Sequence, residues 1–220
     1  MSDKAQEMLV EETVRRAIYG ALAQQDPSLV VVGISNRHVH LTEEDFTVLF
    51  GQETTIKPLK HVRQRGEYAA VQTVTVHGPR SSLTKVRVMG PHRNASQVEL
   101  SFTDCRTLGV TPVVAVSGNL ADAAPVALEG PCGTIQLPHA AIVASRHIHM
   151  GPRDAQALGL KHLDQVSVRL GGPRGGVLDH VTVRVKDSYL PEFHLDSDEG
   201  NALGVRTGAI GQILIPGRKH

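Results

Sequence analysis

Three features of this sequence predict a mainly β protein of two related β-barrel domains, arisen by internal duplication, capped by short helices and preceded by an amphipathic helix. Short runs rich in β-branched residues, separated by Gly and Pro, recur from residue 30 to the C-terminal region. Aromatic residues make up 3% and tryptophan is absent, so the core must come from Val, Ile, Leu and Ala, which suits small barrels. Segments of the first half also return in the second half in the same order.

The elements follow in turn. Over 4–24, Val10, Val14, Ala17, Ile18, Ala21 and Leu22 form a 3.6-residue stripe, with Glu11, Glu12, Arg15 and Arg16 off it. This predicts the amphipathic helix, and Asp26 with Pro27 ends it in a short linker, placing a boundary at residue 27. Strands are expected at 30–34, 71–76, 86–89, 111–116, 166–170, 181–185 and 210–215. Short helices are expected at 42–50 and 152–158, each opening on Thr or Pro with acids in its first turn. The glycine-rich GGPRGG at 171–176 lacks the lysine and serine spacing of a phosphate-binding nucleotide loop and reads as a turn.

The duplication is collinear. SNRHVHLTEEDFTVLFG at 35–51 matches SRHIHMGPRDAQALGL at 145–160, the two His-x-His pairs being offset by 109 residues. VTVHGPR at 74–80 resembles VSVRLGGPR at 166–174, and VELSFTDCRTLGV at 98–110 resembles FHLDSDEGNALGV at 193–205. Barrel domains over 28–143 and 144–220 are the expected organisation.

The 12 histidines carry the chemistry. On a strand, residues i and i+2 share a face, so His38 with His40, and His147 with His149, can each grip one ion. The repeat alignment adds Glu99 to the first pair and His194 to the second. A His₂Glu and a His₃ set are both established three-ligand shells that leave one position open on a catalytic metal. Arg93 stands six residues before Glu99 on a loop, where its planar fork suits phosphate, and Ser117 offers a hydroxyl beside Gly118. Arg37 and Arg146 precede the two His-x-His pairs; packing or a salt bridge between repeats is the role expected of them. Cys105 has no adjacent base and is not expected to be a nucleophile.

Composition excludes several classes. With 23 basic and 22 acidic residues the chain has no field to attract nucleic acid, and it lacks a signal peptide or a long apolar span. No nucleic acid, no membrane and a cytoplasmic location are therefore expected, and two cysteines offer no disulfide framework.

With RHVHL, GPHRNASQVELSFTDCRTLG, the SGN segment, SRHIHM and YLPEFHLDSDEGNALGV on the page, the chain resembles the PduL-type phosphate acyltransferases, also called phosphotransacylases or phosphate propanoyltransferases, from about Val31 to its C-terminus. The resemblance implies two β-barrels with a dizinc site between them, and reversible conversion of acyl-CoA and phosphate into acyl phosphate and CoA. It places the ligands of one ion on His38, His40 and Glu99 and of the other on His147, His149 and His194, with Arg93 and Ser117 at the phosphate. It also implies coenzyme A as substrate, and a homodimer is expected. The N-terminal helix is then a candidate for targeting to a bacterial microcompartment, through shell or cargo proteins. The chain departs from the family at Val114, where members carry an arginine. The rival readings are a dimetal thioester hydrolase, which would release thiol without phosphate, and a zinc-stapled adaptor, whose metal shells would be closed.

Overall fold

The computed structural model of the chain describes residues 26–215, together with Val14 and Ala21. Those two residues are helical and exposed; the rest of the helix expected over 4–24 lies outside the described residues. In chain order the elements of the first half are β1 (Leu29–Ser35), β2 (His38–His40), α1 (Glu43–Phe50), β3 (Pro58–His61), β4 (Tyr68–His77), β5 (Ser82–Gly90), β6 (Gln97–Glu99), α2 (Phe102–Leu108), β7 (Val114–Ala115) and β8 (Ala124–Glu129). The second half comprises β9 (Thr134–Ala144), β10 (His147–Met150), α3 (Pro152–Leu158), β11 (Gln165–Leu170), β12 (Gly176–Val185), β13 (Glu192–Asp196), α4 (Ser197–Leu203) and β14 (Ile210–Leu214).

Two closed barrels result. In the first, β4, β5, β2, β6, β9 and β8 pair in that order and β8 returns to β4, while β3 and β7 are appended at the sides. The second closes as β1, β13, β10, β12, β11 and β14. The strand carrying each His-x-His pair has a parallel neighbour on one side and an antiparallel one on the other: β5 and β6 flank β2, and β12 and β13 flank β10. The duplication read from sequence is thus a duplication of strand order.

The domains are not consecutive, however. One compact unit is Ser35–Ser145 with Asp196–Asp198; the other joins the chain before Ser35 to Arg146–Leu195 and the residues from Glu199 onward. Boundaries at 28–143 and 144–220 put β1 with the first barrel, whereas β1 pairs with β14, Leu29 opposite Gln212 and Val31 opposite Ile210. β9, which leads directly into β10, stays with the first barrel and closes it by pairing Val98 with Ala141. The opening strand of the first repeat thus joins the second barrel, a placement that composition and periodicity cannot register because the strand is equally apolar in either place.

Several elements differ from expectation. The strand expected at 111–116 is reduced to Val114–Ala115, which pairs only with β9. The eleven-residue β9 went unrecognised because it contains Pro138; the proline falls where the β8 register shifts, between Ala124 and Val126, a bulge that dispenses with its missing N–H. The helices α2 and α4 were also unforeseen. In α2, Ser101 accepts from Asp104 N while Asp104 accepts from Ser101 N, a reciprocal capping box.

Both cores are mainly aliphatic, as the scarcity of aromatic residues requires, with Phe46 and Phe50 in the first and Phe193 in the second. Val39, Val74, Val76, Val88, Val98 and Leu128 are sealed in the first, and Val30, Val32, Ile148, Val168, Val183 and Phe193 in the second. Full burial contributes about 1.5–3 kcal/mol for each such side chain. Val39 and Ile148 set the direction of the histidines: each is the middle residue of its His-x-His triplet and is completely buried, so alternation turns the flanking imidazoles away from the core. The helices α2 and α3 stop at Gly109 and Gly159, both in the left-handed region that closes a helix.

Candidate metal centres and active site

In the first barrel the pairing of β2 with β6 sets His38 directly opposite Glu99 and His40 opposite Gln97. His38 Nδ1 donates to the carbonyl of Asn36 at 2.8 Å, which leaves its Nε2 with the lone pair. That Nε2 lies 3.1 Å from His40 Nε2, and Glu99 carboxylate oxygens lie 3.6 Å from His38 Nε2 and 3.8 Å from His40 Nε2. Burial, then the neighbouring His38 and Arg93, hold the His40 imidazole well below its usual pKa, with Glu99 opposing them only in part. It is a neutral ring near pH 7, which is the form that donates to a metal.

In the second barrel β10 and β13 set His147 opposite His194. The two rings stack 4.9 Å apart and 4° from parallel, and His149 lies 4.8 Å from His147 and 4.6 Å from His194, centre to centre. Tyr189 stacks on the outer face of His149 at 4.0 Å, and Glu192 Oε2 lies 3.2 Å from His194 Nε2. His147 and His149 are buried.

Both sets fit a divalent ion. Within each, the three ligand-capable atoms lie within 4.8 Å of one another. A tetrahedral shell with bonds of about 2.0–2.1 Å has edges of about 3.3 Å, close to the 3.1–3.8 Å separations around His38, His40 and Glu99. Two imidazole nitrogens pointed at each other at 3.1 Å are, without a proton or cation between them, two opposed lone pairs.

Polar groups surround the first triad. Gln97 donates to Glu99 Oε1 at 2.6 Å and to Ser117 Oγ at 2.9 Å, and accepts from Gly118 N at 2.8 Å. Ser117 Oγ in turn donates to Glu99 Oε1 at 3.0 Å. Arg93 reaches Ser117 Oγ with Nη1 at 3.3 Å, and its Nη2 lies 3.8 Å from Glu67 Oε1. All eight residues read from the sequence therefore fall into two clusters. One holds His38, His40, Glu99, Arg93 and Ser117; the other holds His147, His149 and His194. Arg37 and Arg146 form ion pairs within their own barrels, to Asp104 and Glu199, not between repeats.

Four neighbours escaped the sequence reading: Gln97, Glu67, Tyr189 and Glu192. For two the signal existed, since the match of Glu99 with His194 also aligns Gln97 with Glu192, each two residues before a triad member and each buried. Glu67 and Tyr189 lie on connections between strands, where no periodic pattern marks them. Cys105 is 2% exposed, and burial followed by the nearby Asp104 pushes its thiol up to about 11, away from nucleophilic use.

Comparison with known proteins adds identity to geometry. The family model for phosphate propanoyltransferase matches residues 31–206. A phosphate propanoyltransferase of Rhodobacter capsulatus is 42% identical over 212 residues, 94% of this chain and 99% of that one. The proteins of the same name from Thermotoga maritima and Salmonella typhimurium are each 43% identical, covering 90% and 89% of this chain and 94% and 91% of their own lengths.

Proposed function

This chain belongs to the phosphate propanoyltransferase family, and on that premise we propose that it moves acetyl or propanoyl groups between coenzyme A and inorganic phosphate by direct attack, using two zinc ions. His38, His40 and Glu99 would hold one ion, and His147, His149 and His194 the other. The observation that carries this reading is the matched placement of two three-donor sets on equivalent strands, one of them bonded through Ser117 to an arginine.

When bound, zinc supplies Lewis-acid stabilisation of a thiolate leaving group and of negative charge developing on oxygen. The rest falls to the chain. Arg93 is half-buried and engages only a hydroxyl and a distant carboxylate, so its planar fork is free to turn to phosphate and orient one oxygen toward the thioester carbon. The Ser117 hydroxyl, shared among Glu99, Gln97 and Arg93, can pass a hydrogen bond to the same anion. Gln97 holds Glu99 in orientation, and the Asn36 carbonyl fixes the tautomer of His38. No acyl-enzyme is required, which agrees with the protonated, enclosed Cys105.

The test is acyl phosphate formation from acetyl-CoA and propanoyl-CoA with phosphate present or omitted, before and after chelation. Thiol release that persists without phosphate would make the protein a thioester hydrolase instead. The proposal extends to a homodimer, to be checked by sedimentation. It extends also to the N-terminal stripe of Val10, Val14, Ile18 and Leu22 as a contact for microcompartment shell or cargo proteins, to be checked by its deletion.

A further inference from the structure

The mechanism leaves Arg37 and Arg146 without a task, yet the two halves of the chain use them identically. Each stands one residue before the first ligand of its triad, and the two are offset by the same 109 residues as the histidines that follow them. Arg37 Nη2 lies 2.7 Å from Asp104 Oδ1, and Arg146 Nε lies 2.7 Å from Glu199 Oε1. Asp104 follows Glu99 by five residues and Glu199 follows His194 by five. Each ion pair thus joins the segment that delivers two imidazoles to the helix that starts just beyond the third ligand.

Arg37 stands at the bend immediately before β2, and its guanidinium is taken up by Asp104 rather than by the triad. The acid it grips is itself fixed. The side chain of Asp104 is 3% exposed, its second oxygen accepts from Ser101 N, and its own N–H donates to Ser101 Oγ, which leaves Oδ1 for Arg37. In the second barrel Arg146 is held further by donation from Nη1 to the carbonyl of Asp179, and its own carbonyl accepts from Thr182 N. Thr182 is the residue paired with His147.

The surroundings of the two triads have otherwise diverged. Glu99 is answered by His194, Gln97 by Glu192 and Asp104 by Glu199, while an arginine-to-carboxylate contact of 2.7 Å recurs in both. A contact that served only to hold a barrel closed would have no reason to sit at the one place where both ligand-bearing strands end. We propose that Arg37 and Arg146 are positioning residues, each clasping its barrel so that the three ligands of that barrel's triad stay in metal-binding register. The proposal rests on the metal reading of the two triads.

Its test is a competitive zinc titration of the metal-free full-length chain against a chromophoric chelator, with cobalt(II) substitution read by visible absorption. The parent is expected to take two ions. Arg37→Met and Asp104→Asn should each weaken one ion by about 10–100-fold and leave the other unchanged, as losses of outer-shell partners do. The double variant should lose no more than either single one, because both remove the same contact. Arg146→Met and Glu199→Gln should do the same to the other ion. Arg37→Lys keeps the charge without the planar fork and should fall between parent and Arg37→Met, which keeps the test available if Arg37→Met does not fold. If folded variants keep parental zinc affinity and cobalt spectrum and lose only melting temperature in the metal-free state, the clasps are structural and the proposal is overturned. A parent chain that takes up no zinc would instead overturn the metal reading itself, and this proposal with it.

Discussion

Gln97 donates its side-chain amide to Glu99 Oε1 at 2.6 Å, and the two residues project from the same face of one three-residue strand. The carboxylate is thereby aimed before any ligand arrives. Gln97→Leu, which removes the donor at similar volume, is expected to leave the melting temperature within a few degrees and to lower zinc affinity at one ion by about 10–100-fold. A chelator-competition titration measures it.

Removing a ligand should be more severe. His147→Ala deletes one imidazole of three from a buried triad, so metal analysis should fall from two ions per chain to one. Acyl transfer should drop by at least about a thousandfold, of the order expected when an electrostatic stabiliser of the transition state is lost. Unchanged far-ultraviolet circular dichroism would show that the barrel persists. Full activity in the variant would refute the role.

The two cysteines should behave as opposites. Cys132 is exposed and Cys105 is buried, with its thiol pushed up to about 11. At pH 8 a thiol reagent should label one cysteine rapidly and reach the second only after unfolding. A native pKa above the unfolded value of about 8.5 means that the unfolded chain gives up this proton first. Cys105 therefore favours the fold below about pH 8.5, and its contribution declines as pH rises toward 11. Denaturant midpoints at pH 8 and pH 10, in parent and Cys105→Ala, measure this.

His40 has the reverse linkage. Burial keeps its folded-state pKa well below 6.5, so as pH falls past 6.5 the unfolded chain takes up the proton and the folded one does not. Stability of the metal-free protein should accordingly decrease as pH falls from 7 to 5. His40→Gln should flatten that dependence, as followed by urea denaturation at several pH values.

Much of this was legible from residue order alone, and the reasons are local. His-x-His is a statement about strand faces, and a buried Val39 or Ile148 between the imidazoles makes that statement enforceable. Glu99 and His194 could be placed beside the histidine pairs because the duplication writes the same segment twice. What sequence withheld was either non-local or disguised. The partner of β1 lies about 180 residues away, and β9 hides behind a proline that a bulge absorbs. Gln97 is an ordinary polar residue until the register sets it opposite His40. Arg37 and Arg146 were noticed, but the acids they hold sit on helices whose short runs gave no periodic signal.

The placement of β1 in the second barrel bears on how the molecule comes into being. A ribosome releases Leu29–Ser35 long before it makes Glu192–Asp196 or Ile210–Leu214, the strands that must receive it, so the earliest stretch of this body is among the last to find its place. The barrel built from the middle of the chain can be complete once Thr134–Ala144 has emerged, while the other waits for Ile210–Leu214. Severing the chain between Ala144 and His147 would therefore yield not two halves but one whole vessel and one that lacks a stave, the strand Leu29–Ser35 that the first piece carries away.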